Sequence, residues 1–537
     1  MTICSQHTTL AVVGTGAMGR GIAQIAAQAG CRVLLLDTRE GAAAEARDAL
    51  GKQWGKLVEK GKMAAAAAAA AQARLKVVAD TYALTYANVV VEAIVENLDV
   101  KRALFRELDD IVSADCVLAT NTSSLSVTAI AAGTRFPGRV AGFHFFNPVP
   151  LMKVVEVVAG ALTDEAPLEL LTTLAREWGH TPVRAQDTPG FIVNHAGRGY
   201  VTEALAILRE CVAEVPVIDA ILREAAGFKL GPFELLDLTA LDVSHPVMES
   251  IYRQYYDDPR YRPSPIAAQR LAAGLLGRKS GRGFYRYDHA LRDIPQQSSV
   301  GNRQVPLEGG EDPGRKAGGL HGASNPEAPV STAAPWAGPV WVSDAHASAA
   351  EPVRDLLQRL GAKVETGFAP SAEALIVVTP LGTDVSACVA AERLDAKRTL
   401  GIDTLPDIAK RRTLMRSPAT DHDIAAQAQA LFAQDGVPAS LIADSAGFVA
   451  QRVLACIVNI GCEIVQQGVC SPADLDLAVE LGLGYPQGPL AWGDALGAGR
   501  VLAILEALQA RTGDMRYRPS LWLRRRAELG LSLLQPA

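Results

Sequence analysis

The sequence predicts an α/β domain built on a mostly parallel sheet, then an all-α domain, a shortened α/β region and a second all-α copy. Three observations predict it. From residue 8 to about 187, short β-rich runs alternate with helical stretches, the pattern of a sheet with helices on both faces. GTGAMG (14–19) stands between the first of those runs and the first helical stretch. Segments of the helical part recur later in the chain at nearly one spacing.

The elements follow in order. LAVV (10–13), RVLLLD (32–37), NVVVEAI (88–94), CVLAT (116–120) and RVAGF (139–143) read as strands. The alanine run 64–71 reads as a helix, because alanine is the strongest helix former. From about 188 to 288 the chain turns helical. Residues 191–209 carry apolar side chains at helical spacing, and 219–226 is another candidate helix. Residues 289–336 are rich in Gly, Pro, Ser and charge, as in GGEDPGRKAGGL (309–320), which predicts a flexible linker. VWV (340–342) and ALIVVT (374–379) restore an α/β pattern, and the last region is helical again. The expected domain limits are 1–187, 188–288, 289–336, 337–440 and 441–537.

The repeat is specific. DTPGFIVN (187–194) aligns with DSAGFVAQ (444–451), and GPFELLD (231–237) with GPLAWGD (488–494), both 257 residues apart. RYRPS (260–264) returns at 516–520. The second α/β region is degenerate: it has no GxGxxG and no counterpart of the HFFNP run, and Gln451 stands where Asn194 does. A structural role follows for it.

The formal net charge of −6 over 537 residues offers no basic footprint, so neither nucleic acid nor an anionic membrane is an expected partner. No secretory leader and no apolar run of about 18 residues is present, which predicts a cytoplasmic protein. The eight cysteines are scattered without a CxxC pair, so reduced thiols and no structural metal are expected.

GTGAMG has the spacing of a dinucleotide-binding, Rossmann-type turn: Gly14 for the tight turn, Gly16 for backbone approach to a pyrophosphate, Gly19 for helix–strand packing. Gly14, Gly16, Ala17, Met18 and Gly19 are therefore candidate cofactor residues. Asp37 ends the second strand at the distance expected of an acid that binds the adenosine ribose, which favours NAD over NADP; Arg39 nearby weighs slightly the other way.

In AGFHFFNPVPLMKVVEVV (141–158) polar side chains interrupt a buried strand and a proline turn. Such groups are costly unless paired or used. A strand–turn–strand can bring His144 and Glu156 together. Taken alone, His144 could be a core histidine, Glu156 an exposed charge beside Lys153, Ser123 a helix cap and Asn194 a structural amide.

VEAIVENL (91–98), NTSSL (121–125), HFFNPVP (144–150), KVVE (153–156), DTPGFIVN (187–194), GPFELLD (231–237) and GRKSGRGFYRY (277–287), in this order after the glycine loop, resemble the 3-hydroxyacyl-CoA dehydrogenase family. The resemblance covers about residues 8–288. It implies NAD-dependent oxidation of an (S)-3-hydroxyacyl-CoA, with His144 as general base, Glu156 orienting it, and Ser123 and Asn194 bonding the reacting oxygen. It further implies that Glu96, Lys101, Ser123, Asn147 and Lys279 line the cofactor site, that Lys60 or Lys62 meets the CoA phosphates, and that the helical copies form a homodimer or an intrachain pseudo-dimer. The two-module layout resembles the bacterial branch acting on 3-hydroxyadipyl-CoA in phenylacetate breakdown. A reductive enzyme making 3-hydroxybutyryl-CoA, and a silent dinucleotide-binding scaffold, stay open as alternatives. One departure lies at His195, where the family usually has Arg; Arg452 keeps that residue in the duplicate.

Overall fold

Strands that are apolar throughout need cover on both faces. The computed structural model, which describes residues 5–287 and 333–536, supplies it. Leu10 and Val12 pack with Ile22 and Ala26 of the helix Ala17–Ala29, whereas Ala11 and Val13 share the opposite core with Phe105 and Leu108 of the helix Leu98–Ile111.

Eight strands build this sheet: β1 (Thr9–Val13), β2 (Arg32–Leu36), β3 (Leu75–Val77), β4 (Val89–Glu92), β5 (Val117–Thr120), β6 (Val140–Phe145), β7 (Val154–Ala159) and β8 (Thr181–Gln186). Their order is β3-β2-β1-β4-β5-β6-β7-β8, and only β6–β7 is antiparallel. β6 runs past the expected end at 143 and so takes in His144. β3 and β8 have no strand counterpart in the sequence reading: one is three residues long, and the other, TPVRAQ, is a half-polar edge strand. The alanine run forms the helix Ala65–Ala73. The helix expected over 191–209 breaks at Gly197 into Val193–Ala196 and Arg198–Arg209, and that expected over 219–226 begins earlier, at Val215, and ends in a π turn, Ile221–Ala225.

Six strands build the second sheet: β9 (Pro339–Val342), β10 (Lys363–Glu365), β11 (Leu375–Val378), β12 (Thr399–Ile402), β13 (Arg412–Arg416) and β14 (Ala439–Ala443), in the order β10-β9-β11-β12-β13-β14. Only β12–β13 is antiparallel. Asp444 caps the helix Val385–Glu392 through Val385 and Ser386, as Asp187 caps Val127–Ala131 through Val127 and Thr128. β11 thus corresponds to β5, and the strands without counterpart are β3 and β4. β14 runs to Ala443, past the expected limit at 440. The expected linker 289–336 lies outside the described residues except for its end, where Trp336 departs from a free linker. Its Nε1 donates to Pro339 O at 3.0 Å and its ring packs on the core of the second sheet.

The two helical copies pair within the chain. Helix Arg198–Arg209 crosses helix Ala450–Gln466 so closely that a Cβ on Gly199 would stand 2.9 Å from Ile457 Cα. Glu203, buried in this seam, takes Arg452 at 2.7 Å and Arg516 at 3.2 Å. Burial opposes its charge, but the two guanidinium groups outweigh burial and hold its carboxyl below the usual range. Glu203→Ala takes from Arg516 its nearest carboxylate and leaves Arg452 to Glu210, at 2.6 Å, and should cost about 3 kcal/mol, read as a lower urea midpoint. His195 is also buried, between Tyr255 and Tyr261, at 3.1 and 2.8 Å. Burial and the nearby Arg198 and Arg260 push it down to about 3, so it packs as a neutral ring. Among the described residues no helix is long and apolar enough to cross a membrane.

Candidate active site

The antiparallel register of β6 and β7 sets His144 directly opposite Glu156. Nδ1 lies 2.5 Å from Glu156 Oε2, and both side chains are buried. A carboxylate only accepts, so the proton sits on Nδ1 and Nε2 is left as the basic nitrogen. The other oxygen, Oε1, accepts the backbone N–H groups of Ile192 and Val193, each at 2.9 Å. Those two groups open the short helix that carries Asn194. One carboxylate therefore ties His144 to the segment DTPGFIVN.

Asn194 Nδ2 donates to Ser123 O at 3.3 Å, which joins that segment to the loop after β5. Glu96 organises the loop from the other side: Oε1 accepts from Thr122 Oγ1 at 2.7 Å, Ser123 N at 2.9 Å and Ser124 N at 3.0 Å. Burial opposes its charge, but Lys101 and the loop donors hold its carboxyl below the usual range.

Lys101 stands beside Glu96. It is buried, with Nζ 2.5 Å from Glu92 and 3.2 Å from Glu96. Buried Glu92, which also accepts from Thr120 Oγ1 at 2.7 Å, needs that counter-charge. Lys101 thus holds Glu96 in place by its charge. Glu92, Thr15 and Thr122 are absent from the sequence-based candidates; their signal was their place inside VEAIVENL, GTGAMG and NTSSL.

At the glycine loop, Gly14 has φ +91°, and a Cβ there would strike Ala93 O at 2.6 Å. A Cβ on Gly19 would meet Gly14 O at 1.8 Å, so this position is reserved for packing. Gly16 differs: no heavy atom lies within 4 Å of where its Cβ would stand. Ala17 is exposed and Met18 half-buried at the start of the helix. Asp37, just past β2, accepts Thr15 N at 2.7 Å, Thr15 Oγ1 at 2.8 Å and Arg39 N at 3.0 Å. Burial opposes its charge, but these bonds prevail and its carboxyl is held low. An open cradle beside a helix N-terminus, with an ionised acid at the next strand, fits NAD. Gly16→Val should raise the KM for NAD by about tenfold or more while the melting temperature stays put, since its side chain meets only the space for the pyrophosphate.

The remaining candidates are more loosely placed. Asn147 is exposed in the turn between β6 and β7. Lys279 is exposed on the helical domain and pairs with Asp242 at 2.5 Å. Lys60 and Lys62 are exposed in the turn between the helices Ala42–Glu59 and Ala65–Ala73.

The second half has lost this apparatus. Gly142 pairs with Thr120 and Val158, and Gly401 pairs with Val378 and Met415. By that register Asp403 stands for His144 and Thr413 for Glu156. Gln451 fills the space: its Nε2 donates to Asp403 Oδ1 at 2.9 Å and Pro380 O at 3.1 Å, and its Oε1 accepts Gly382 N at 2.8 Å. Among the described residues no strand of the second sheet supplies counterparts of Glu92 and Glu96.

Residues 9–188 match the family model described as 3-hydroxyacyl-CoA dehydrogenase, NAD binding domain, and residues 190–287 and 447–532 match that of its C-terminal domain. The chain is 36% identical to 3-hydroxyadipyl-CoA dehydrogenase of Escherichia coli (strain K12), over 97% of this chain and 98% of that one. It is 40% identical to a probable 3-hydroxybutyryl-CoA dehydrogenase of Deinococcus radiodurans, over 51% of this chain and 99% of the relative. The crystal structure of 3-hydroxybutyryl-CoA dehydrogenase from Escherichia coli K12 superposes with a TM-score of 0.77 at 34% identity, covering 97% of this chain and 98% of that one. The chain therefore belongs to the 3-hydroxyacyl-CoA dehydrogenase family, as an NAD-dependent oxidoreductase.

Proposed function

We propose that His144 and Glu156 are the catalytic pair for oxidation of (S)-3-hydroxyacyl-CoA to 3-oxoacyl-CoA. The buried Nδ1–Glu156 bond carries this reading, because it leaves Nε2 as the base. Nε2 takes the proton of the substrate 3-hydroxyl as the oxygen becomes a carbonyl. NAD, when bound, supplies the acceptor for the hydride from C3. Glu156 stabilises the imidazolium that results, and its hold on Ile192 and Val193 fixes the ring relative to Asn194. Ser123 and Asn194 bond the reacting oxygen. Glu96 shapes the Ser123 loop, the glycine loop holds the pyrophosphate and Asp37 the ribose. Lys101, Asn147 and Lys279 complete the nucleotide site, and Lys60 or Lys62 meets the CoA phosphates.

The substrate is a short-chain or dicarboxylic acyl-CoA, 3-hydroxyadipyl-CoA first, as the name of the full-length relative suggests. That substrate fits phenylacetate breakdown in the cytoplasm, and the helical copies act as a pseudo-dimer within one chain or as part of a homodimer. Arg39 bears on the cofactor. Its guanidinium is paired with Glu45 at 2.6 Å, which weighs against its use on a 2′-phosphate and so favours the oxidative reading over an NADPH-dependent one. The test is NADH formation with 3-hydroxybutyryl-, 3-hydroxyhexanoyl- and 3-hydroxyadipyl-CoA, with NAD and NADP side by side. Turnover with NAD, fastest on adipyl, is expected. NAD binding without turnover on any of them would leave a scaffold.

A further inference from the structure

The second helical copy touches the first half at the back of the catalytic strand. Its helix Pro472–Leu483 lies against β7, β8 and the short helix Val193–Ala196. Gln186 N, at the end of β8, donates to Val469 O at 2.8 Å.

A tight contact lies at Gly482. A Cβ there would stand 2.9 Å from Val193 Cγ2, 3.0 Å from Val193 Cγ1 and 3.3 Å from Val154 Cγ1. Val193 is one of the two residues whose N–H holds Glu156 Oε1. Val154 stands two places before Glu156 on β7. The notch thus receives the side chain of a residue that fixes the carboxylate.

The pseudo-twofold mate of this contact sharpens the point. Ala443 N donates to Val212 O at 2.9 Å, so each helical copy braces the other's sheet. There, however, the residues equivalent to Val193 and Gly482 are Ala450 and Ala225. A large side chain seated in a glycine notch occurs at the working site, and two small residues take its place at the degenerate one.

We propose that Gly482 is a positioning residue for Glu156, so that the second half of the chain completes the catalytic site of the first. The proposal rests on the roles given above to His144 and Glu156. In it, the second half remains because the base must be held, although it has no chemistry of its own.

Gly482→Ala in the full chain tests it. The added methyl must displace Val193 by a few tenths of an ångström, and the N–H groups on Glu156 move with it. The expected result is a kcat lowered about tenfold, on the scale that small misplacements cost, with the KM for NAD unchanged. The acid limb of kcat/KM should move to lower pH, because a displaced carboxylate stabilises the imidazolium less. Adding Val193→Ala, which recreates the small pair of the second site, should recover most of the loss. Wild-type kcat and pH limb in a folded G482A protein would overturn the proposal. So would a loss that V193A does not relieve. Should G482A fail to fold, V193A alone serves: it opens a void at the notch, and an unmoved acid limb there overturns the proposal equally. Full turnover by Glu156→Gln would instead sink the underlying reading, whatever G482A does.

Discussion

His144→Gln will lower kcat by about 10²–10⁴-fold, the range of a lost general base, and leave NAD binding near its wild-type strength. The two effects separate because the ring lies at the end of β6, whereas the pyrophosphate cradle is at the glycine loop between β1 and its helix. Glutamine can keep a bond to Glu156 but offers no nitrogen that takes a proton near neutral pH. Stopped-flow NADH formation together with NAD titration by calorimetry checks both halves of this expectation. A variant that loses NAD affinity and activity in step would point to collapse of the site.

Glu156→Gln should cost roughly 10³–10⁴-fold in kcat, the scale for a base held in the wrong tautomer. The reason is local. The substituted amide can turn its oxygen toward Ile192 N and Val193 N, which need an acceptor. Its nitrogen then meets Nδ1 of His144, and two donors cannot face each other. The ring answers by moving its proton to Nε2, the atom that must be a base. The double variant should be scarcely slower than H144Q, because the two side chains act as a unit. Steady-state rates of the three proteins check this. Multiplicative losses would show that Glu156 works on something other than the ring.

Much of this site was legible in the sequence because its parts are local. The glycine loop, Asp37 and the strands around them lie within one βαβ stretch, where strand pattern and spacing speak directly. His144 and Glu156 were legible as a pair because an antiparallel connection returns the chain to its own neighbour. β3 and β8 were not legible, since a three-residue strand and a half-polar edge strand carry no alternation to read. The ion pair of Lys101 was hidden for a different reason. Its charge suggests solvent or a ligand, and only the register that buries Glu92 beside it turns it into a counter-ion. The replacement of His144 by Asp403 was hidden because the second sheet lacks two strands, and no sequence motif marks the surviving register. The seat of Val193 on Gly482 joins residues from opposite halves of the chain, a contact that local patterning does not encode.

The central claim is that one site works, in the first half, on the base His144. Initial rates of NADH formation from 3-hydroxybutyryl- and 3-hydroxyadipyl-CoA, measured in parallel for the wild type, H144Q and Asp403→Asn, test it most directly. The asparagine in D403N can still accept Leu405 N and Gln451 Nε2, so that variant should fold and turn over as the wild type does. H144Q should be nearly inactive. Turnover by H144Q at the wild-type rate, or its loss in a folded D403N protein, would contradict the account.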